Sequence, residues 1–569
     1  MDRTAWIAVT LCVLALVAWE IWATRQRIPQ PHAAATSTAP PALSASPEPR
    51  TANAATTPAP SPTATPAGFA EKTETLRNND IELHLTNRGG GISEVVLPNY
   101  AAEEGKRVTL NSPAQVPIGA IMADPAAIDL PEFTMTRDKD AVAFESRTAE
   151  QLAIRKRIAL LTNAPKDNFI AQLEIDFVNN GAVAYASPGY YLSVGSSAPI
   201  HRTDYPTYTR VVWLANGKTK GVDVGWFGAS GGFLGVGARA PRPVYSETLK
   251  GAEWVASSNQ FFTSLVAPLN EKADGVWARR FEANAAQQSF GVAGAMHLPA
   301  FRVEPGQTHS THFELYLGPK LYHRLAQLDH GEAEVMEFGI FKIICQALLN
   351  ALNTFHSFLG NYAAAILALT TTVKLALWPL QNRANASMRR MSALSPRMQE
   401  LREKYKDDPT KMNAELMKLY KEHGVNPVGG CLPMFIQIPI FFGLFTMLRQ
   451  AVELRGASFL WIQDLSQPDT VAHVPGLGWP INILPLIMAA TSFWMTHLTP
   501  KSGDPTQQRM MMFTPIIFII FCYNFAAALA LYYTTQNLLT VLQLYVNKRQ
   551  PVPEPVKVTT PAARAKKRR

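Results

Sequence analysis

Residues Ala363–Leu380 read AAAILALTTTVKLALWPL, a hydrocarbon run long enough to cross a bilayer that carries one cation, Lys374, near its middle. A lysine at mid-bilayer costs about 2.5–3.5 kcal/mol on insertion scales, and such a residue faces a partner or a water-filled cavity. No Asp or Glu lies in any later apolar segment, so water or a visiting group is the expected partner. A basic loop and a second apolar segment ending at Leu448 follow, and the stretch Asn361–Leu448 sets the fold class: a polytopic α-helical membrane protein.

The other apolar segments fall at Cys431–Leu448, Ile481–Leu498, Met512–Ala526 and Ala528–Val546, and Thr4–Trp22 reads as an uncleaved anchor rather than a signal peptide. With Asn361–Leu380 this makes six expected spans. Met336–Phe355 is left out of the count, because Lys342, Gln346, Asn350 and Asn353 recur every three or four positions and suit a helix lying in the interface. The loop from Gln381 to Gly424 carries ten basic residues, and the tail from Lys548 onward is basic with only Glu554 opposing. Both therefore belong in the cytoplasm, with both termini inside. Within the loop, Met391, Leu394, Met398, Leu401 and Tyr405, then Met412, Leu416 and Leu419, alternate at three and four, which predicts an antiparallel helical hairpin whose second helix starts at Asp408-Pro409 and stops at Gly424.

Upstream, Pro29–Gly68 is almost wholly Pro, Ala, Ser and Thr, a tether. From Phe69 to Leu317 the period becomes two: Ile81, Leu83 and Leu85; Ala171, Leu173, Ile175 and Phe177; Thr311, Phe313, Leu315 and Leu317. Many such runs predict a large all-β sandwich. The glycine-rich run Gly228–Gly237 and the triplet Gly217-Lys218-Thr219 read as turns rather than phosphate loops. A short helical pattern at Lys320–Leu328 leads out of the sandwich. The four cysteines all lie in apolar segments, with no metal-ligand spacing, and no cofactor is expected.

The run NPVGGCLP at Asn426–Pro433, followed by QIPIF at Gln437–Phe441, resembles the YidC membrane protein insertases of the Oxa/YidC family, and the order of segments resembles their long Gram-negative form. The resemblance implies a β-supersandwich in the periplasm of the bacterial inner membrane, and five later spans around a hydrophilic groove open to cytoplasm and lipid. It implies a non-enzymatic chaperone that inserts, folds and helps assemble nascent membrane proteins, alone or with the Sec translocon. The clustered Lys and Arg of the basic tail and hairpin make a ribosome or a targeting receptor the expected further partners. Lys374 stands where many relatives carry Arg, so the charge is kept and the planar fork is not. Phe525-Ala526-Ala527-Ala528-Leu529 lacks a Pro and Gly that relatives often have there.

The expected segments are 1–28 anchor, 29–68 linker, 69–330 β-domain, 331–360 interfacial helix, 361–380 second span, 381–425 hairpin and 426–450 third span. Then come a periplasmic loop at 451–480, a fourth span at 481–498, a cytoplasmic loop at 499–511, spans at 512–526 and 528–547, and a tail at 548–569. Lys374, Thr370 to Thr372, Gln437, Tyr532, Tyr533, Thr534, Thr535, Gln536 and Asn537 are the expected polar walls. Phe441, Phe445 and Phe518 offer an apolar path for a client helix along the third and fifth spans, which are expected to be short enough to thin the bilayer. Two other classes compete. A secondary transporter calls for repeated halves that the sequence does not show, and an intramembrane hydrolase would have to use Ser492 and His497, which are poorly spaced on a helix.

Overall fold

The computed structural model describes residues 69–548, apart from residue 127 and short stretches at 149–150, 162–168, 202–203, 230–238, 285–288, 424–431 and 500–504. The expected anchor, linker and nearly all of the basic tail lie outside the described residues, as do most of the Gly228–Gly237 run and the loop before Cys431. The chain divides into two compact units between Val335 and Met336.

The first unit is β-rich. An antiparallel meander of four strands, Thr73–Arg77, Glu82–Thr86, Gly91–Ala101 and Arg107–Leu110, accompanies an antiparallel sheet of thirteen. Two of the alternating runs in the sequence pair with each other: strand Ile170–Asn179 lies against Thr308–Pro319, with Leu173 opposite Phe313 and Ile175 opposite Thr311. All four are buried, as period-two patterning requires when one face meets a core. Asn216 and Gly217, at φ 52° and 68°, form the two-residue turn between strands Arg210–Ala215 and Lys218–Asp223. A turn with both residues left-handed matches strand twist, and this accounts for the Gly-Lys-Thr triplet as a hairpin. One helical turn, Tyr322–Leu325, stands within the predicted Lys320–Leu328 pattern.

Lysine is buried in this unit too. Lys156, on strand Leu152–Leu160, donates to the carbonyls of Gly89 (2.6 Å), Gly90 (2.7 Å) and Gly119 (2.9 Å), with the Phe133 ring 4.7 Å away. Burial pushes its ammonium down to about 7, while three carbonyl acceptors match the three hydrogens of the charged form.

The second unit is helical: α1 (Lys342–Leu359), α2 (Tyr362–Ala393), α3 (Ser395–Lys404), α4 (Pro409–Glu422), α5 (Leu432–Gln450), α6 (Ile483–Leu498), α7 (Pro505–Cys522) and α8 (Ala527–Lys548). Gly360, left-handed at φ 66°, closes α1, and Asn361 caps α2 by accepting from the Ala364 N–H, so one Gly-Asn pair turns the chain. The buried face of α1 is Cys345, Leu348, Leu349 and Leu352, opposite exposed Asn350. It closes on α5, where the Cys345 thiol donates to the Gly443 carbonyl at 3.2 Å.

The second span was expected to end at Leu380, but α2 runs on to Ala393, passing through Pro379. At 1.5 Å per residue its 32 residues measure about 48 Å, beyond a hydrocarbon core of about 30 Å. The polarity change at Gln381 marks an environment boundary, not a helix end, because Gln, Arg, Ala and Met all favour helix. Among the described residues α2 alone is long and apolar enough to cross a membrane by length and composition, and Ile483–Leu498 and Met512–Cys522 are shorter apolar helices. Shortness thus belongs to α6 and the apolar part of α7. The 19 residues of α5 measure about 28 Å.

Beyond α2 the predicted hairpin forms from α3 and α4, with Leu394, Met398, Leu416 and Leu419 buried together and Met391, Leu401, Met412 and Tyr420 at the margin. Asp408 caps α4 by accepting from the Lys411 N–H at 3.0 Å, with Pro409 in the first turn. Between α7 and α8, where the sequence lacks a Pro and Gly, the loop 451–482 fixes the turn instead. Its Gln467 and Leu465 carbonyls accept from the Ala527 and Ala528 N–H groups, and Asn482 Nδ2 donates to the Tyr523 carbonyl at 2.7 Å.

Candidate functional site

On α8, Tyr532, Gln536, Thr540, Gln543 and Asn547 recur at intervals of four, four, three and four, which lines them along one face of a helix. In the structure they form a polar track against α5 and α2. At its first level Gln437, on α5, donates to the Tyr532 hydroxyl at 3.1 Å, and Gln536 Nε2 stands 3.5 Å from Gln437 Oε1. One turn on, Lys374 Nζ donates to Gln381 Oε1 (2.5 Å) and Thr540 Oγ1 (2.9 Å), and the Thr540 hydroxyl donates to the Gln536 carbonyl (2.7 Å). At the last level Gln543 and Asn547 both donate to Asn382 Oδ1, at 2.8 and 2.9 Å, and the Arg389 guanidinium donates to the Asn547 carbonyl.

Lys374 is 1% exposed, and the partners it meets here are the side chains of Gln381 and Thr540. They are neutral acceptors that use two of its three hydrogens. Sequence reasoning missed Gln381, Asn382, Thr540, Gln543 and Asn547; the polar periodicity of the last span was the signal for Thr540, Gln543 and Asn547 alone. The track is also under-satisfied: Gln543 Oε1 and Asn547 Oδ1 are buried without a hydrogen-bond partner among the described residues. Each such acceptor costs about 1–3 kcal/mol unless something donates to it.

Other expected wall residues stand elsewhere. The hydroxyls of Thr370, Thr371, Thr372 and Thr535 donate to the carbonyls four residues earlier on their own helices. Asn537 faces α6, donating to Ser492 Oγ (2.8 Å), Thr491 Oγ1 (3.2 Å) and the Met488 carbonyl (3.3 Å). Ser492, which in turn donates to Met488 O at 2.8 Å, is bound up in this helix-to-helix contact and not in a nucleophile–base pair.

Tyr533 belongs to an aromatic patch rather than to the polar wall. Its ring stacks on Phe518 (centroids 4.5 Å) and meets Phe441 at 6.1 Å. Phe441 lies 5.8 Å from Phe518 and 6.3 Å from Phe445, and Phe445 lies 5.3 Å from Phe525. The three phenylalanines expected to form an apolar path are thus brought together on α5 and α7. Track and patch are adjacent: Gln437 and Phe441 are one turn apart on α5, and Tyr532 and Tyr533 are neighbours on α8. The arrangement can hold a polar segment and an apolar one side by side. No group of three or more His, Cys, Asp or Glu able to hold a metal is found among the described residues.

Two family profiles match the chain: "60Kd inner membrane protein" over residues 354–554 and "YidC periplasmic domain" over residues 74–351. A protein of Cupriavidus metallidurans named membrane protein insertase YidC is 31% identical over 538 residues, 90% of this chain and 86% of that one. Its namesake in Syntrophobacter fumaroxidans is 39% identical over 297 residues, and there the match spans about half the length of each chain. A crystal structure described as an active YidC insertase with its first transmembrane domain resolved aligns over 85% of this chain and 94% of its own, at 20% identity and a TM-score of 0.35. Sequence similarity across nine-tenths of the chain, with both parts of the family matched in order, establishes that the chain belongs to the YidC membrane protein insertase family.

Proposed function

We propose that this chain inserts nascent proteins into the bacterial inner membrane, and that the polar track on α8 with Lys374 is the path for a client's hydrophilic flank. The observation that carries this reading is the placement of buried, under-satisfied amides beside an aromatic patch. Moving a polar flank through hydrocarbon costs several kcal/mol for each unsatisfied group, and a wall of amides and hydroxyls lowers that cost. Gln543 and Asn547 have acceptors to offer a backbone N–H, and Lys374 can exchange Gln381 or Thr540 for a client carboxylate. The client's apolar helix leaves over Phe441, Phe445 and Phe518, driven by its burial in lipid. No step needs a nucleotide or a catalytic group.

In this reading six spans cross the membrane, with the β-rich unit and loop 451–480 in the periplasm and both termini in the cytoplasm. The β-rich unit is a supersandwich, α1 lies in the interface, and α3 with α4 stands as a cytoplasmic hairpin. The basic tail and hairpin suit the phosphate surface of a ribosome or a targeting receptor, and the Sec translocon is a partner for larger clients.

The test is protease protection of a single-span client with an acidic translocated tail in vesicles containing the protein. Lys374→Ala is expected to lower insertion at least about tenfold, the loss of roughly 1.4 kcal/mol or more, while Lys374→Arg retains it. Insertion by Lys374→Ala at the wild-type rate would overturn the role of the lysine.

A further inference from the structure

The loop 451–482 between α5 and α6 carries two apolar tips that the proposed function does not use. At the first, Phe459 and Ile462 close a tight turn with paired backbone hydrogen bonds (2.9 and 2.8 Å), which forces Leu460 into the left-handed region at φ 52°. That conformation is unfavourable for a branched side chain. Yet Leu460 points outward, 76% exposed, beside a Trp461 that is 41% exposed. The Trp461 indole N–H is turned inward onto Asp469 Oδ2 (3.1 Å), so the apolar part of its ring is what the turn presents.

The second tip ends the hairpin of strands Thr470–His473 and Pro480–Asn482, where Val474 and Trp479 close the turn (2.8 Å) and Leu477 and Trp479 are 64% and 68% exposed. The base below both tips is rigid. Asp469 also accepts from the Leu484 N–H at the start of α6 (2.6 Å), and the Tyr523 hydroxyl donates to the Pro480 carbonyl (2.8 Å).

The chemistry of the tips identifies what they meet. Between Arg455 and Lys501 the charged residues are Asp464 and Asp469, and both are spent on the loop itself, Asp464 on the Ser466 N–H and hydroxyl. A charged protein partner would find nothing to pair with. Tryptophans at the end of a helix pair are the side chains that settle at a membrane–water boundary. Leu486, Ile487, Phe493 and Trp494 of α6, the helix that the loop enters, are exposed as well.

We propose that the Leu460–Trp461 turn and the Leu477–Trp479 tip are two wedges that enter the headgroup layer of the outer monolayer, anchoring this end of the helical unit in lipid. The inference goes beyond the insertase reading but shares its premise that α6 crosses the bilayer.

The experiment places single cysteines at Leu460, Leu477, Trp494 and Val183 in a background whose four native cysteines are alanine. Each is labelled with an environment-sensitive fluorophore in vesicles containing lipids with a shallow spin-label quencher. Val183 is an exposed residue of the β-rich unit and reports water. Quenching at 460 and 477 is expected to exceed that at 183 at least about twofold. If 494 is quenched while 460 and 477 behave like 183, the wedges do not exist although the helix spans. Should 494 also behave like 183, the membrane premise itself fails. Labels at 460 and 477 that are shielded from water but not quenched by lipid would mean a protein cover, and would overturn the proposal too. Leu460→Asn provides a folding check, since Asn tolerates the left-handed turn and removes only the apolar tip. With the label at 477, it should leave quenching there intact.

Discussion

Replacing Lys156 by Met removes the donor under three carbonyls and keeps the stem. Gly89, Gly90 and Gly119 each lose an acceptor's partner at 2.6–2.9 Å, and Gly89 and Gly90 lie in left-handed turns at φ 70° and 56° that cannot easily turn their carbonyls to water. At about 1 kcal/mol per lost hydrogen bond, the substitution costs about 2–3 kcal/mol, the neutral amine having two hydrogens to donate and the ammonium three. Against this stands the burial of an ammonium, which lowers the folded-state value to about 7 from 10.5. A depressed value means that the associated stability is complete above the unfolded value and is lost as pH falls through the folded one, at up to about 1.4 kcal/mol per unit. The wild-type advantage therefore shrinks as pH falls through the window from 10.5 to 7, by about 1.4 kcal/mol per unit, so about 2.7 kcal/mol of it is lost between pH 9 and pH 7. Urea unfolding of the full chain in detergent, followed by proteolysis of the β-rich unit, should show the midpoint of Lys156→Met rising relative to wild type by about 1 M between pH 9 and pH 7. A pH-independent cost would refute the burial argument, and a variant more stable than wild type near pH 9 would refute the role of the carbonyls.

Gly443 admits no side chain, because a Cβ there would stand 2.7 Å from Ile344 Cγ2 on α1. Gly443→Ala should separate α1 from α5, costing about 1–3 kcal/mol, and raise the maleimide reactivity of buried Cys345. Asn537→Leu leaves Ser492 and Thr491 without their α8 donor and should lower thermal stability in detergent by about 0.5–2 kcal/mol, read as a fall in melting temperature, while Ser492→Ala should cost less.

The lysine in Ala363–Leu380, the hairpin heptads and the β periodicity were all legible because each is a pattern within one element. Leu173 and Phe313 show the same on the strand side: alternation fixes which residues face inward, while their pairing with each other has no signal in either run. What stayed hidden depends on contacts between helices. Lys374 meets Gln381 seven residues along its own helix and Thr540 on the last one, a triad with no local signature. Tyr532 and Tyr533 are identical in composition terms, but a 100° rotation per residue sends one to the amides and the other to the phenylalanines. Helix length misled at Leu380, where hydropathy ends but helix propensity does not. Lys156 was passed over because a lysine in an alternating run is ordinarily on the wet face.

The account rests on a polar track and an aromatic patch that divide a client between them. The most direct measurement inserts a photo-crosslinking amino acid at Gln536 on the track or at Phe518 in the patch, and maps the adducts of a client arrested midway through insertion. The account predicts that Gln536 captures the client's hydrophilic flank and Phe518 its apolar span. The reverse assignment, or capture of the same client segment from both positions, would contradict it.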